Sequence, residues 1–253
     1  MLFFFKKKKV VVRFFTTQDG LPELFPPNRL TKSMPAWWKS TPAYIDPPKN
    51  SPPEMMRRIM PVKHRKSVKH CYSIQKLFEH GWVMPMWADS IVNVLPDGNI
   101  GGAVPSGDSG GEHHPVEQYP GMITPDWVNW KMSSPWLVYT DKPAQFMITN
   151  PFYHIQDHNW QTMPGETEFF HQHHSNINMI FRKPNGSSAF QYEFRAGDVI
   201  AYITPMFEGE VEMVAERIDP KEKERLEFGS KIWFSPATQA RKNGIGGCPL
   251  HRG

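Results

Sequence analysis

Phe190-Gln-Tyr-Glu-Phe-Arg-Ala-Gly-Asp-Val-Ile-Ala-Tyr-Ile-Thr204 holds two short runs of aromatic and β-branched residues parted by a turn. Such side chains favour a pleated strand, and Gly197-Asp198 supplies the turn chemistry between the runs. The same cadence continues in both directions. Trp136-Leu-Val-Tyr-Thr140, Ala144-Gln-Phe-Met-Ile-Thr149 and Ile177-Asn-Met-Ile-Phe181 precede it, and Glu210–Ile218 follows. Trp82–Trp87 and Ser90–Leu95 read as earlier strands, with Pro96-Asp-Gly98 as the turn after them. Short strands at this spacing predict a mainly β chain, an antiparallel barrel or sandwich.

Composition agrees. The 253 residues include 25 prolines and 18 glycines, and 13% are aromatic. Proline at roughly twice its usual frequency opposes long helices, and the aromatic content opposes plain disorder. Ten of the prolines fall within residues 18–62, beside Trp37 and Trp38. That stretch cannot form long helices or central strands, yet Phe25, Trp37, Trp38, Tyr44 and Ile45 would bury much area on meeting a surface. It reads as an extended, ordered strap anchored by its tryptophans. Pro35-Ala-Trp-Trp-Lys39 opens one short helix within it, with Ser33 as its expected cap.

Two further helices are expected. Cys71, Ile74, Leu77 and Phe78 have helical spacing and predict an amphipathic helix over 71–80, with Cys71 buried and Gly81 as its C-cap. Asp219 and Pro220 mark the start of a charged surface helix. Residues 101–111, with five glycines, read as a loop, and Arg241–Gly253 as an extended basic tail. The chain divides accordingly: 1–62 as a basic strand and proline-rich strap, 63–218 as a β-rich core, and 219–253 as helix and tail.

Charge is segregated. Residues 1–70 carry 15 Lys/Arg against four Asp/Glu, a net of +11, which leaves the rest of a +4 chain at −7. A basic region on an acidic body predicts contact with something acidic: nucleic acid, or the acidic face of a neighbouring subunit. Phe3, Phe4 and Phe5, just before Lys6–Lys9, are candidate interface residues beside Trp37 and Trp38. No run of 18 apolar residues exists to span a membrane, and the apolar block precedes the lysines, the reverse of a signal peptide. Cys71 and Cys248 permit one disulfide but demand none, and they offer no CxxC metal motif.

Chemistry is sparse. Gly107-Asp-Ser-Gly-Gly111 lacks the lysine of a phosphate-binding loop. The histidines offer the one candidate site. His171 and His173 would share a strand face, and His154 or Asp157 could complete a divalent-metal site in the manner of a cupin or of a facial triad of two histidines and a carboxylate. A metal-dependent enzyme is therefore the alternative to a chain with no catalytic set and no cofactor.

Four motifs stand in order: Pro35-Ala-Trp-Trp-Lys39, Lys69–Gln75 leading into Gly81-Trp-Val-Met-Pro-Met-Trp-Ala-Asp89, Pro135-Trp-Leu-Val-Tyr139, and Phe194–Pro205. Over roughly residues 30–207 this arrangement resembles a family of tailed-phage proteins found in phages of marine bacteria. The resemblance implies a phage-encoded protein made in the host cytoplasm. Gly165–Pro205 is also similar to the later half of a β-clip fold such as the dUTPases. There Gly165-Glu-Thr-Glu168 and Gly197–Tyr202 stand in the places of two family strands, and Glu168 in that of the catalytic Asp. Together these readings lead to a virion structural protein, a decoration, cement or connector-type subunit. Its expected partners are other virion proteins and further copies of itself.

Overall fold

The computed structural model describes residues 8–45, 65–103, 111–114, 126–155, 159–170, 174–184 and 188–233. Phe3, Phe4, Phe5, Asp157, His171, His173 and Cys248 lie outside the described residues, as do residues 46–62 of the strap and the 241–253 tail. The chain begins with β1 (Lys8–Thr16), α1 (Leu21–Leu24), β2 (Asn28–Arg29), α2 (Ala36–Ser40), β3 (Tyr44–Ile45) and β4 (Arg65–Lys66). It continues through α3 (Tyr72–His80), β5 (Trp82–Pro85), β6 (Ser90–Val94), β7 (Ile100–Ala103), β8 (Gly111–His114), β9 (Trp127–Met132), β10 (Leu137–Thr140) and β11 (Gln145–Thr149). The last elements are β12 (Trp160–Thr162), β13 (Gly165–Glu168), β14 (Ile177–Arg182), β15 (Phe190–Phe194), β16 (Val199–Pro205), β17 (Gly209–Arg217) and α4 (Pro220–Trp233).

The protein is mainly β. Its strands form sheets of order β10-β1-β17, β13-β11-β16-β5-β2, β12-β14-β9-β8 and β15-β6-β7, plus the pair β3-β4, and none of the described sheets closes into a barrel. Every pairing is antiparallel except β1 with β17. The basic N-terminal strand is thus the central strand of a core sheet. Val10, Val12 and Phe14 are buried on one face of β1, opposite Val211, Met213 and Ala215. Phe14 stands edge-on to Trp136, with ring centroids 6.1 Å apart.

The five-stranded sheet positions the strap. Its strands alternate between two buried faces. Trp82, Met84, Ala201 and Ile203 join the main core, while Val83 and Tyr202 face the other way. That second face is covered by Leu30 and Trp38 of the strap and Phe78 of α3, so all four residues of β5 are buried. A register shift between Val199 and Ala201 bends β16 where these layers meet. Gly81 lets the chain turn from α3 into β5. A Cβ there would lie 2.6 Å from the Leu77 carbonyl oxygen, although its φ of −77° suits any residue.

Several local expectations change. Cys71 is exposed, because it precedes the first turn of α3, and the buried side of that helix centres on Phe78. Ser33 does not cap α2. Its hydroxyl donates to Asn28 Oδ1 at 2.7 Å, and Pro35 occupies the N-cap position. The 101–111 glycine stretch is strand at both described ends, β7 and β8. β14 pairs with β9 and β12, and β15 pairs with β6. The start of α4 follows the sequence: Asp219 Oδ1 accepts the Glu222 N–H at 2.9 Å, and Pro220 is its first residue.

Candidate functional site

The strap is fastened to the core at three points, each built from a different element. The first is aromatic. In α2 the Trp38 side chain points inward and meets Phe78 edge-on, with centroids 4.6 Å apart. Trp37, its neighbour, leans edge-on against Trp38 at 5.7 Å and donates its indole N–H to the Tyr153 carbonyl at 2.8 Å.

The second fastening is Arg29 on β2. Its guanidinium lies over the Trp82 ring at 4.8 Å, a cation–π contact. It also donates to the Val211 carbonyl at 3.0 Å and to the Glu79 carbonyl at 3.4 Å. One side chain thereby ties the strap to β5, β17 and the end of α3.

The third is His154. Its Nε2 lies 2.5 Å from the Ser33 carbonyl oxygen and its Nδ1 lies 2.6 Å from the Tyr202 hydroxyl. A carbonyl can only accept, so the network assigns the proton to Nε2, and Nδ1 accepts from Tyr202. Burial holds the imidazole below its ordinary value of 6.5, with the Ser33 hydrogen bond opposing that effect more weakly. Burial likewise pushes the Tyr202 hydroxyl up. The pair is neutral at neutral pH and holds the strap by hydrogen bonds alone.

The proposed metal triad cannot be assembled from the described residues. His154 has both ring nitrogens engaged, and coordinating a cation would require it to give up the strap or Tyr202. Among the described residues no group of three or more His, Cys, Asp or Glu is placed to hold a metal ion. Glu168, in the β-clip position, is half-buried on β13 at a sheet edge.

No family model, curated protein or solved structure matches the chain.

Two basic side chains of the N-terminal strand meet acidic residues within the same molecule. Lys9 Nζ lies 3.0 Å from Glu212 and Arg13 Nη1 lies 2.6 Å from Glu216, both across the parallel β1–β17 pair. Beside exposed Lys32 and Lys39, the strap offers aromatic surface outward, next to residues 152–153. Trp37 is 39% exposed and Phe152 60%, and Tyr153 lies between them, with centroids 6.1 and 5.4 Å away. Sequence reasoning found Trp37 and missed Phe152, since Asn150-Pro151-Phe152-Tyr153 carries no periodic signal. Among the described residues no helix is long and apolar enough to cross a membrane.

Proposed function

We propose that this chain is a structural subunit of a tailed-phage virion, a decoration, cement or connector protein. It binds neighbouring subunits through the aromatic ridge Trp37–Tyr153–Phe152, formed where the docked strap meets the segment after β11. One observation carries the reading: Trp37 is held on three sides, by Trp38, Tyr153 and a hydrogen bond, yet leaves 39% of its surface exposed. A large aromatic side chain fixed before its partner arrives loses little rotamer freedom on binding, the usual character of an interface anchor.

The motifs behind the phage resemblance support a structural role. Trp38, Gly81, Val83 and Tyr202 belong to three separate motifs, and all meet where the strap docks. Residues that pack a strap onto a sheet build a rigid surface, which suits an assembly role.

Mass spectrometry of purified particles of the encoding phage tests the reading. The protein is expected as a stoichiometric component, and Trp37→Ala is expected to reduce its incorporation about tenfold or more. Absence from the particles overturns the proposal.

A further inference from the structure

A second outward surface is built by the end of α2, the β3–β4 pair, the short 3-10 turn Val68–His70 and the start of α3. Residues 36–45 and 65–80, which form it, hold four lysines and one arginine but a single acid, Glu79. That acid is already matched, since Lys76 Nζ lies 2.7 Å from it. Among the described residues Lys39, Lys66 and Lys69 form no ion pair. They differ in this from Lys9 and Arg13 of β1, each of which meets a glutamate of β17.

The contacts bring these lysines and three rings together. Tyr44 and Lys66 stand directly opposite one another in the β3–β4 pair, so their side chains lie on one face. The Tyr44 ring packs on the His70 ring, with centroids 4.8 Å apart. Lys69 reaches back to the end of α2, where its Nζ donates to the Lys39 carbonyl at 3.5 Å. On the α3 side, Lys76 Nζ lies 5.4 Å from the centre of the Tyr72 ring.

The turn between the strands and the helix is held in place. The Ser67 hydroxyl accepts the Lys69 N–H at 3.2 Å, and the Gln75 side-chain amide donates to the Lys69 carbonyl at 2.6 Å. The Ser67 N–H donates to the Ala43 carbonyl at 2.9 Å, which extends the β3–β4 pairing toward the turn. Outward from this frame Tyr44 is 52% exposed and Tyr72 70%, and Lys39 and Lys66 are exposed beside them.

We propose that this surface binds single-stranded nucleic acid, with phosphates on Lys39, Lys66 and Lys69 and bases on the Tyr44 and Tyr72 rings. Lysines without acidic partners attract any polyanion, an acidic protein included. Exposed rings set among them favour a polyanion that also carries flat, stackable groups. A duplex keeps its base faces covered by stacking, so the strand that uses the rings is single. The inference is independent of the assembly role, because none of these residues belongs to the Trp37–Tyr153–Phe152 ridge.

Fluorescence anisotropy of a labelled oligothymidylate of about 12 nucleotides, titrated with the full chain, tests it. Binding is expected to saturate and to weaken as salt rises, through the counterions that each phosphate contact releases. Lys66→Gln and Lys69→Gln should each lower the slope of log affinity against log salt by about 0.7. Tyr44→Leu should weaken binding about fivefold or more at fixed salt, the loss of one stacked base. Lys221→Gln, an exposed lysine of α4, should change neither quantity. An oligouridylate of the same length distinguishes the source: tighter binding assigns the surface to RNA, and equal binding to either kind of single strand. No saturable binding of either oligonucleotide, or binding indifferent to the Tyr44 and lysine substitutions, overturns the proposal. So does polyglutamate of matched charge that competes as well as the oligonucleotide, which would identify an acidic protein as the partner.

Discussion

The His154 imidazole joins Ser33, 121 residues earlier in the chain, to Tyr202, 48 residues later, through its two ring nitrogens. One neutral side chain thus closes the strap over the five-stranded sheet. His154→Ala leaves the Tyr202 hydroxyl and the Ser33 carbonyl without these partners, and each buried orphan costs about 1–3 kcal/mol. The expected outcome is a lower urea midpoint together with faster proteolytic cutting within residues 18–45. Unchanged cutting in that segment would show that the strap does not depend on this contact.

The same residue sets a pH dependence. Its folded pKa lies below the ordinary 6.5 because burial disfavours the imidazolium. The unfolded chain therefore binds the proton first as pH falls. The stabilisation is fully present above about pH 6.5 and is lost as pH drops from there through the depressed folded value. The charged form would also place an N–H on Nδ1, against the donating Tyr202 hydroxyl. Denaturant midpoints measured from pH 7.5 to 5 should fall in the wild type more steeply than in His154→Ala. Parallel profiles would assign the acid sensitivity to other groups.

Arg13 and Glu216 lie 2.6 Å apart, with side chains 43% and 40% exposed. Exposed pairs of this kind contribute only about 0–1 kcal/mol. Glu216→Gln is therefore expected to shift stability by less than about 1 kcal/mol, an effect that shrinks further in high salt. The buried valines of β1, not its charges, hold that strand in place. A loss of several kcal/mol in chemical denaturation would reverse that assignment.

The strand cadence was legible because β15 and β16 carry strong aromatic and β-branched runs bounded by Gly197, whose φ is +93°. β9 carried a usable signal too: the buried Val128, Trp130 and Met132 alternate with Asn129 and Lys131, although Asn129 is buried as well. The central place of β1 was not legible, because a parallel partner about 200 residues away leaves no local trace. His154 was legible as a chemically interesting residue but not as a fastening. Its partners are a backbone carbonyl and a distant tyrosine, and only the fold brings them together. Trp38 was read correctly as an anchor from composition alone, since a proline-rich segment can offset its ordering cost only by burying large side chains.

Two glycines of adjoining sheets should respond in opposite directions. A Cβ on Gly111 would fall 2.0 Å from the Trp130 ring, which is buried and cannot retreat. Gly111→Ala is expected to cost about 1–3 kcal/mol through this overlap. A Cβ on Gly165 would meet nothing within 4 Å. Gly165→Ala is expected to be neutral or to gain about 0.4–1 kcal/mol by restricting the unfolded chain. Thermal denaturation of the two variants checks the contrast, and equal losses would contradict it.

The tryptophan pair separates folding from assembly. Trp38 is buried against Phe78 and Leu30, so Trp38→Ala opens a cavity and should cost about 3–5 kcal/mol. Trp37 keeps its outer surface in solvent, and Trp37→Ala should cost only about 1 kcal/mol of stability. Its effect belongs to association. The Trp37 variant should melt close to the wild type and yet fail to join particles, whereas the Trp38 variant should lose both properties together. Phe152→Ala, which removes the other end of the exposed ridge, should behave like the Trp37 variant. If it assembles normally while Trp37→Ala does not, the contact surface is α2 alone and not the ridge.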